Sequence, residues 1–351
     1  MHVAFYAPLK PPSHPKPSGD RTFARALLDT LKSIEGVEKV TIASTLQTRD
    51  GDGLPEVQKS LLSNADKELK RLSSSDFDAW ITYHNYYKAP DLIGPNYAKA
   101  KGIPYLQIES TRASKRLTGP WADFAAKAEA ATDAADTVFY LTTRDREALA
   151  AAKPDNQTLT HLPPFLNRDE LPTAKRPVAG LKLLSVAMLR TGDKLASYTA
   201  LAEALKHVTR PDWTLNIVGD GPARADVEAL FADFGDQVSF QGEAAPKAVA
   251  TAMSEASCLL WPGVNEAFGM VYLEAQALGL RVIAEDRPGV REVVGPLGSL
   301  APPNDPAAFA SFINFLPTET NAEITETRRY MRDRLRPSAR RILAQALGLA
   351  Q

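Results

Sequence analysis

The sequence holds one cysteine, five histidines and no apolar run approaching the ~20 residues that a membrane-spanning helix needs. A lone cysteine closes no intrachain disulfide and builds no multi-cysteine metal site. Cys258, inside the apolar run Ala256 to Trp261, therefore reads as a small core residue. Excess charge of either sign is also missing. Lys and Arg number 41 against 42 Asp and Glu, so nothing global announces a nucleic-acid binder or an acidic solvating tail. Internal repeats and low-complexity tracts are absent too. The opening run Met1 to Pro8 has no basic flank and no small-residue cleavage site, so it reads as a first strand rather than a signal peptide, and the cytoplasm is the expected address.

What is present is ordinary globular composition, 44% hydrophobic and 24% charged, in 351 residues. That length exceeds what one growing core accommodates and predicts two domains. Short β-rich apolar runs alternate with longer helical patterns, the rhythm of βαβ units and parallel sheets. Strands are expected at Val3 to Ala7, Val40 to Ala43, Ala79 to Tyr83, Tyr105 to Ile108, Thr137 to Leu141 and Leu159 to Leu162. A second series is expected at Leu183 to Ala187, Leu215 to Val218, Val238 to Phe240, Cys258 to Trp261 and Val282 to Ala284. Between the series, residues 168–180 are polar and proline-bearing, which suits a linker. Ligands in open parallel sheets bind beyond the carboxyl ends of the strands, so the residues just after each strand carry the most information.

The stretch Trp261 to Glu274 runs from a strand end through a loop into a helix expected to stop at Gly279. The unpaired amides of such a helix start welcome an anion. Glu266 and Glu274 bracket that start. Carboxylates there do nothing for a phosphate but grip sugar hydroxyls well, because hydroxyls donate to ionised acids. The plainer alternative makes Glu266 a favourable helix opener and Glu274 a surface acid.

The stretch resembles the E-x7-E signature of retaining, nucleotide-sugar-dependent glycosyltransferases of the GT-B fold, glycosyltransferase family four in particular. Further matches follow in the family's order: Ser185 to Arg190 with Lys194, the turn Asn216 to Pro222, and Val238 to Gly242. The resemblance implies an α/β architecture of two Rossmann-like domains facing each other across a cleft, with the C-terminal helix crossing back to the first. It gives an acceptor-side domain at 1–167, a linker at 168–180, a donor domain at 181–325 and the returning helix at 326–351. It also implies that Arg190 and Lys194 hold the donor diphosphate, that Glu266 lies by the transferred sugar and that Glu274 holds the ribose hydroxyls. The amides of Phe268, Gly269 and Met270 would meet sugar and phosphate oxygens, with Gly219 in the glycine turn and Gln241 and Gly242 at the nucleobase. Where the family usually has Lys-Gly, this chain has Lys194-Leu195. Gly219-Asp220-Gly221 lacks the third glycine of a dinucleotide fingerprint, and no His, Asp or Glu cluster has metal-ligand spacing, so the expected chemistry needs no metal and no cofactor.

In the first half, Gly19 follows a proline-rich loop and resembles the family's glycine that approaches the donor phosphates. Ser18 and Asp20 read equally well as plain helix caps. His84, followed by Tyr86 and Tyr87, closes a strand; it is either a polar contact to substrate or a structural histidine. Many family members carry a second histidine after the next strand, and Glu109 stands there instead, a candidate acid or base. A final helix over about Ala322 to Leu347 carries seven arginines and a Pro337 expected to kink or divide it, laced by salt bridges or docking on an anionic membrane. The expected reaction is retaining transfer of a sugar from a UDP- or GDP-sugar to a hydroxyl of a glycan, glycolipid or small molecule. Peripheral contact with the inner membrane face is admitted and nucleic acid is not expected. The rival readings are a sugar phosphorylase or nucleotide-sugar epimerase on the same fold, and a non-catalytic glycan-binding or activator subunit.

Overall fold

The computed structural model describes residues 1–16, 18–296 and 298–349. The chain divides into two units, one of Met1–Pro163 with Arg336–Gln351 and one of Pro164–Leu335. Unit 1 contains β1 (His2–Tyr6), β2 (Lys39–Ser44), β3 (Ala79–Asn85), β4 (Tyr105–Ser110), β5 (Thr137–Tyr140) and β6 (Thr158–His161). They form one sheet in the order β2-β1-β3-β4-β5-β6, with every pairing parallel. Unit 2 contains β7 (Leu181–Val186), β8 (Trp213–Val218), β9 (Val238–Gly242), β10 (Cys258–Leu260), β11 (Arg281–Glu285) and β12 (Ser299–Ala301). Its order is β12-β11-β10-β7-β8-β9, again all parallel. Helices cover both faces of such sheets, which is why central strands such as β3 and β10 are almost wholly buried.

Each order reverses direction once. In unit 2 the reversal lies between β7 and β10, and in unit 1 between β1 and β3. The loops leaving adjacent strands diverge at such a point and open a crevice at the carboxyl edge. The eleven expected strands are all present; β12, three residues at the sheet edge, was not anticipated. Both halves have a Rossmann-like α/β architecture, and the fold is GT-B.

The helix expected over 322–347 is two helices. Asn321–Tyr330 opens on a capping box between Thr320 and Glu323 and packs against the helix Met270–Leu278 of unit 2. A short 3-10 turn at Arg332–Arg334 intervenes, and Arg336–Ala346 then packs against Gly19–Lys32 of unit 1, so the terminal helix does return to the first domain. Pro337 divides nothing; it sits in the first turn of the second helix, where a missing N–H is harmless. Arg328 donates to the carbonyls of Ala277 and Pro172, and Arg334 stacks 3.8 Å over the Tyr330 ring.

Residues 168–180 are tied to unit 2. Lys175 donates its amide to Leu278 O at 2.9 Å, and its ammonium pairs with Glu319, the two side chains being 0% and 2% exposed. The turn after β8 is equally constrained. Gly219 gives its amide to Gly242 O at 2.8 Å, and a Cβ on Gly219 would stand 1.9 Å from Ala187 O. Two backbones meet there without room for a side chain. Gly219→Ala should therefore destabilise unit 2 by about 3 kcal/mol, read as a lower urea midpoint; an unchanged midpoint would contradict the close approach.

Candidate functional site

The reversal point of unit 2 gathers charged residues from two loops. β7 ends at Val186, and the chain passes Arg190 before the helix Asp193–Leu205 begins at Gly192, whose φ of 76° suits glycine. β10 ends at Leu260 and leads through Trp261 and Glu266 to the helix Met270–Leu278. Arg190, Thr191, Asp193, Lys194, Asn265 and Glu266 line a hollow of about 230 Å³ between these loops. The Lys194 ammonium pairs with the Glu266 carboxylate and lies 5.3 Å over the Trp261 ring. Trp261 Nε1 donates to the same Glu266 oxygen at 3.0 Å. Asn265 Nδ2 donates to Asp193 at 2.8 Å, and Val264 N donates to Ser197 Oγ at 2.9 Å, which locks the two loops together. Glu266 is thus aimed by two donors, and Lys194 by an acid and an aromatic face.

A second cavity of about 280 Å³ lies elsewhere on unit 2, lined mainly by apolar side chains, among them Val186, Ala244, Val249 and Met253, together with Arg168 and Glu274. Glu274 occupies the second turn of the helix Met270–Leu278 and is open to solvent within this concavity. Surrounding protein raises its carboxyl above the ordinary value, and Arg168 opposes that. The helix start itself has no side-chain cap: Gly269 stands there at φ 78°, and an added Cβ would run into the Tyr272 ring at 2.6 Å. The two glutamates therefore line different cavities.

The remaining donor-side candidates lie around these cavities. Gln241 is exposed and accepts from Asn216 Nδ2 at 3.0 Å, while Gly242 holds the β8 turn through its carbonyl. Neither lines the second cavity; Ala244, two residues beyond, does. The Phe268 side chain is buried, and Met270 is half-buried. In unit 1, Ser18 caps the helix Gly19–Lys32 by accepting from Arg21 N. At Gly19 an added Cβ would meet no atom within 4 Å and φ is not positive, so the fold itself does not demand glycine there.

Unit 1 brings His84 and Glu109 together. Tyr83 pairs with Ile108 and Asn85 with Ser110 across β3 and β4, which sets His84 opposite Glu109. His84 Nε2 lies 3.0 Å from Glu109 Oε2, with side chains 14% and 12% exposed. Both residues adopt positive φ, 67° and 60°, a conformation that costs a non-glycine residue about 1–3 kcal/mol. A buried clamp holds them. Asn85 Nδ2 donates to Thr132 Oγ1 and Ala128 O at 2.9 Å, and Ser110 Oγ donates to Gln107. The Tyr83 ring stacks 4.3 Å from the imidazole. Burial works against the imidazolium, but Glu109, with Asp20 and Asp145 behind it, outweighs burial and raises the His84 pKa. The charged pairing therefore adds stability that is complete below the unfolded value of about 6.5 and is lost as pH rises through the higher folded value. Glu109→Gln should lower the His84 pKa and flatten that part of the stability profile, measured by NMR titration of the imidazole alongside urea unfolding. An unmoved His84 titration would contradict the pairing.

Sequence reasoning missed Arg168, Ala244, Val249 and Met253 as cavity-lining residues; the strand-end rule could have flagged Ala244 alone, two residues past β9. Among the described residues no three His, Cys, Asp or Glu side chains converge as a metal-ligand set, and no helix is long and apolar enough to cross a membrane.

Comparison with known proteins bears on the same unit. Residues 181–318 match the family model described as Glycosyl transferases group 1. The matched residues take in β7 to β12 and the helices Asp193–Leu205 and Met270–Leu278. A 2-deoxystreptamine glucosyltransferase of Streptomyces kanamyceticus is 33% identical over 129 residues, 35% of this chain and 33% of that protein. The chain spans less than half the length of the first curated relatives it matches. Among solved structures, the apo lipopolysaccharide outer core galactosyltransferase WaaB superposes with a TM-score of 0.70 at 17% identity, covering 99% of each chain. Anabaena HepE in complex with UDP and glucose superposes with a TM-score of 0.69 at 15% identity, covering 98% of this chain and 99% of that one. At such identities the likeness extends to the fold.

Proposed function

We propose that the protein is a glycosyltransferase of the retaining family-four type, which moves a sugar from a UDP- or GDP-sugar to an acceptor hydroxyl. The observation that carries this reading is the cluster of Arg190, Lys194 and Glu266 at the reversal point of the unit 2 sheet, beside the uncapped helix start at Met270. The group 1 domain match over 181–318 supports it.

In this reading the donor diphosphate lies against Arg190 and Lys194, whose charge stabilises the leaving group as the glycosidic bond lengthens. The amides at Gly269 and Met270 add the partial positive charge of a helix N-terminus. Glu266, held by Lys194 and Trp261 Nε1, accepts from hydroxyls of the transferred sugar. Glu274 accepts from the ribose hydroxyls, and the apolar walls of its cavity take the nucleoside. Charge on the leaving group comes from side chains and amides, so turnover in excess EDTA is expected to persist. His84 and Glu109 act on the acceptor side, either as hydrogen-bond partners of the acceptor or in proton transfer.

The test mixes the protein with each nucleotide sugar and a panel of hydroxylated acceptors, following nucleoside diphosphate release and product anomeric configuration by NMR. The expected result is release that depends on acceptor, with the donor's anomeric configuration kept. Release without acceptor, or an inverted product, would overturn the reading. Gly19→Ala is expected to leave thermal stability unchanged while weakening donor use, since the space above Gly19 is open to a ligand.

A further inference from the structure

Three loops leave the carboxyl ends of β2, β3 and β4 in unit 1 and carry a group of residues with no part in the transfer proposed above. Tyr87 and Lys88 follow β3, Arg116 and Trp121 follow β4, and Asp50 and Gly51 follow β2. The Tyr87 and Trp121 rings meet edge to face, 5.8 Å apart at 87°. Trp121 Nε1 donates to Asp50 O at 3.2 Å, which fixes the indole. Two cations sit on this pair of rings. Lys88 Nζ is 4.6 Å from the Trp121 centroid and 5.9 Å from that of Tyr87, and Arg116 Cζ is 5.1 Å from Tyr87 and 5.7 Å from Trp121. Lys88 also donates to Gly51 O at 3.1 Å.

Stacking on shared rings brings two like charges close, which is unfavourable unless something answers them. Among the described residues neither Lys88 nor Arg116 takes part in any of the ion pairs found. Asp50, in the loop after β2, has its carboxylate engaged within its own loop and helix. Its oxygens accept from the amides of Asp52, Gly53 and Leu54 and from Gln58 Nε2. The same segments also carry exposed Arg49 and Lys115 and exposed Asp52 and Asp123, none of them ion-paired to Lys88 or Arg116. A merely solvated basic loop would leave its long side chains unordered; here aromatic faces and a carbonyl hold them in place before any ligand arrives.

We propose that Lys88 and Arg116, seated on Tyr87 and Trp121, form a subsite for a phosphate monoester. Two cations without an ion-pair partner match a dianion, and a guanidinium fork beside a point-charge ammonium suits phosphate oxygens. The subsite lies at the carboxyl edge of unit 1, with Tyr87 only three residues beyond His84. Resting on the glycosyl-transfer reading, the inference names the acceptor class as phosphorylated hydroxyl compounds, either free or as the headgroup of a lipid.

The experiment uses the full chain and needs no turnover, so it can fail or succeed independently of that reading. Inorganic phosphate and glycerol 1-phosphate are titrated by NMR against the Trp121 indole signal, assigned by its loss in Trp121→Phe. Saturable shifts are expected, with affinity weakened at least tenfold in the Lys88→Gln/Arg116→Gln variant and partly kept in Arg116→Lys. Thermal stability of the double variant controls for folding. In a parallel arm, sedimentation with vesicles of phosphatidylcholine, with and without phosphatidate, separates the sources: binding of phosphatidate vesicles lost in the double variant indicates a lipid headgroup, and binding of the free esters alone indicates a soluble one. An unmoved Trp121 signal, or shifts of equal size in the double variant, would overturn the proposal.

Discussion

Lys194→Ala should lower turnover by about 10²- to 10³-fold, the usual consequence of removing one donor from a site where negative charge develops. The substitution acts twice. It takes away the ammonium assigned to the diphosphate, and it frees the Glu266 carboxylate that Lys194 holds against Trp261. Glu266 would then keep one donor, Trp261 Nε1, and lose its orientation toward the sugar. Arg190→Ala should cost a similar factor while leaving Glu266 in place. Because both cations act on one leaving group, the double variant should lose less than the product of the two single factors. Lys194 is 27% exposed and lies outside the buried core, so unfolding midpoints should move little. Turnover of Lys194→Ala within threefold of the parent would remove Lys194 from the mechanism.

Lys175→Ala should destabilise unit 2 by about 3–5 kcal/mol, because it strands the Glu319 carboxylate in a site with almost no solvent. The pair fastens residues 168–180 to the helical side of unit 2, together with the Lys175 amide on Leu278 O. Burial already pushes the Glu319 carboxyl up, and Lys175, with Arg281 behind it, counters that. Replacing both members with apolar residues of similar volume, Lys175→Met with Glu319→Leu, should recover most of the loss, since desolvating two charges is itself expensive. Denaturant unfolding of the three proteins reads the comparison. A neutral single variant would mean that the pair contributes nothing to the attachment.

The architecture could be read from strand-sized apolar runs because parallel strands buried on both faces are continuous hydrophobic segments, as in Cys258 to Trp261. β12 escaped because three residues between a glycine and a proline show no period. Pro337 points to a break in the terminal helix a few residues too late, because the arginines continue through Met331 to Leu335, where only backbone geometry reveals it. The clustered site of unit 2 was legible through loops that follow strand ends, which topology then brings together at a single reversal point. What sequence could not carry was pairing at a distance. Lys175 stands in a polar, proline-bearing stretch that reads as solvated, and its partner lies 144 residues away. The opposition of His84 and Glu109 depends on the β3–β4 register, and the cations on Tyr87 and Trp121 depend on three separate loops converging.

The most direct test of the central claim is thermal unfolding of the full chain with UDP, GDP, ADP and their sugar conjugates, one at a time. A ligand at 100 times its dissociation constant should add about 2.7 kcal/mol to the native state. A rise with the uridine or the guanosine series, lost in Arg190→Ala and Glu274→Ala, is the predicted result. Folded protein whose unfolding is indifferent to every nucleotide would contradict the account.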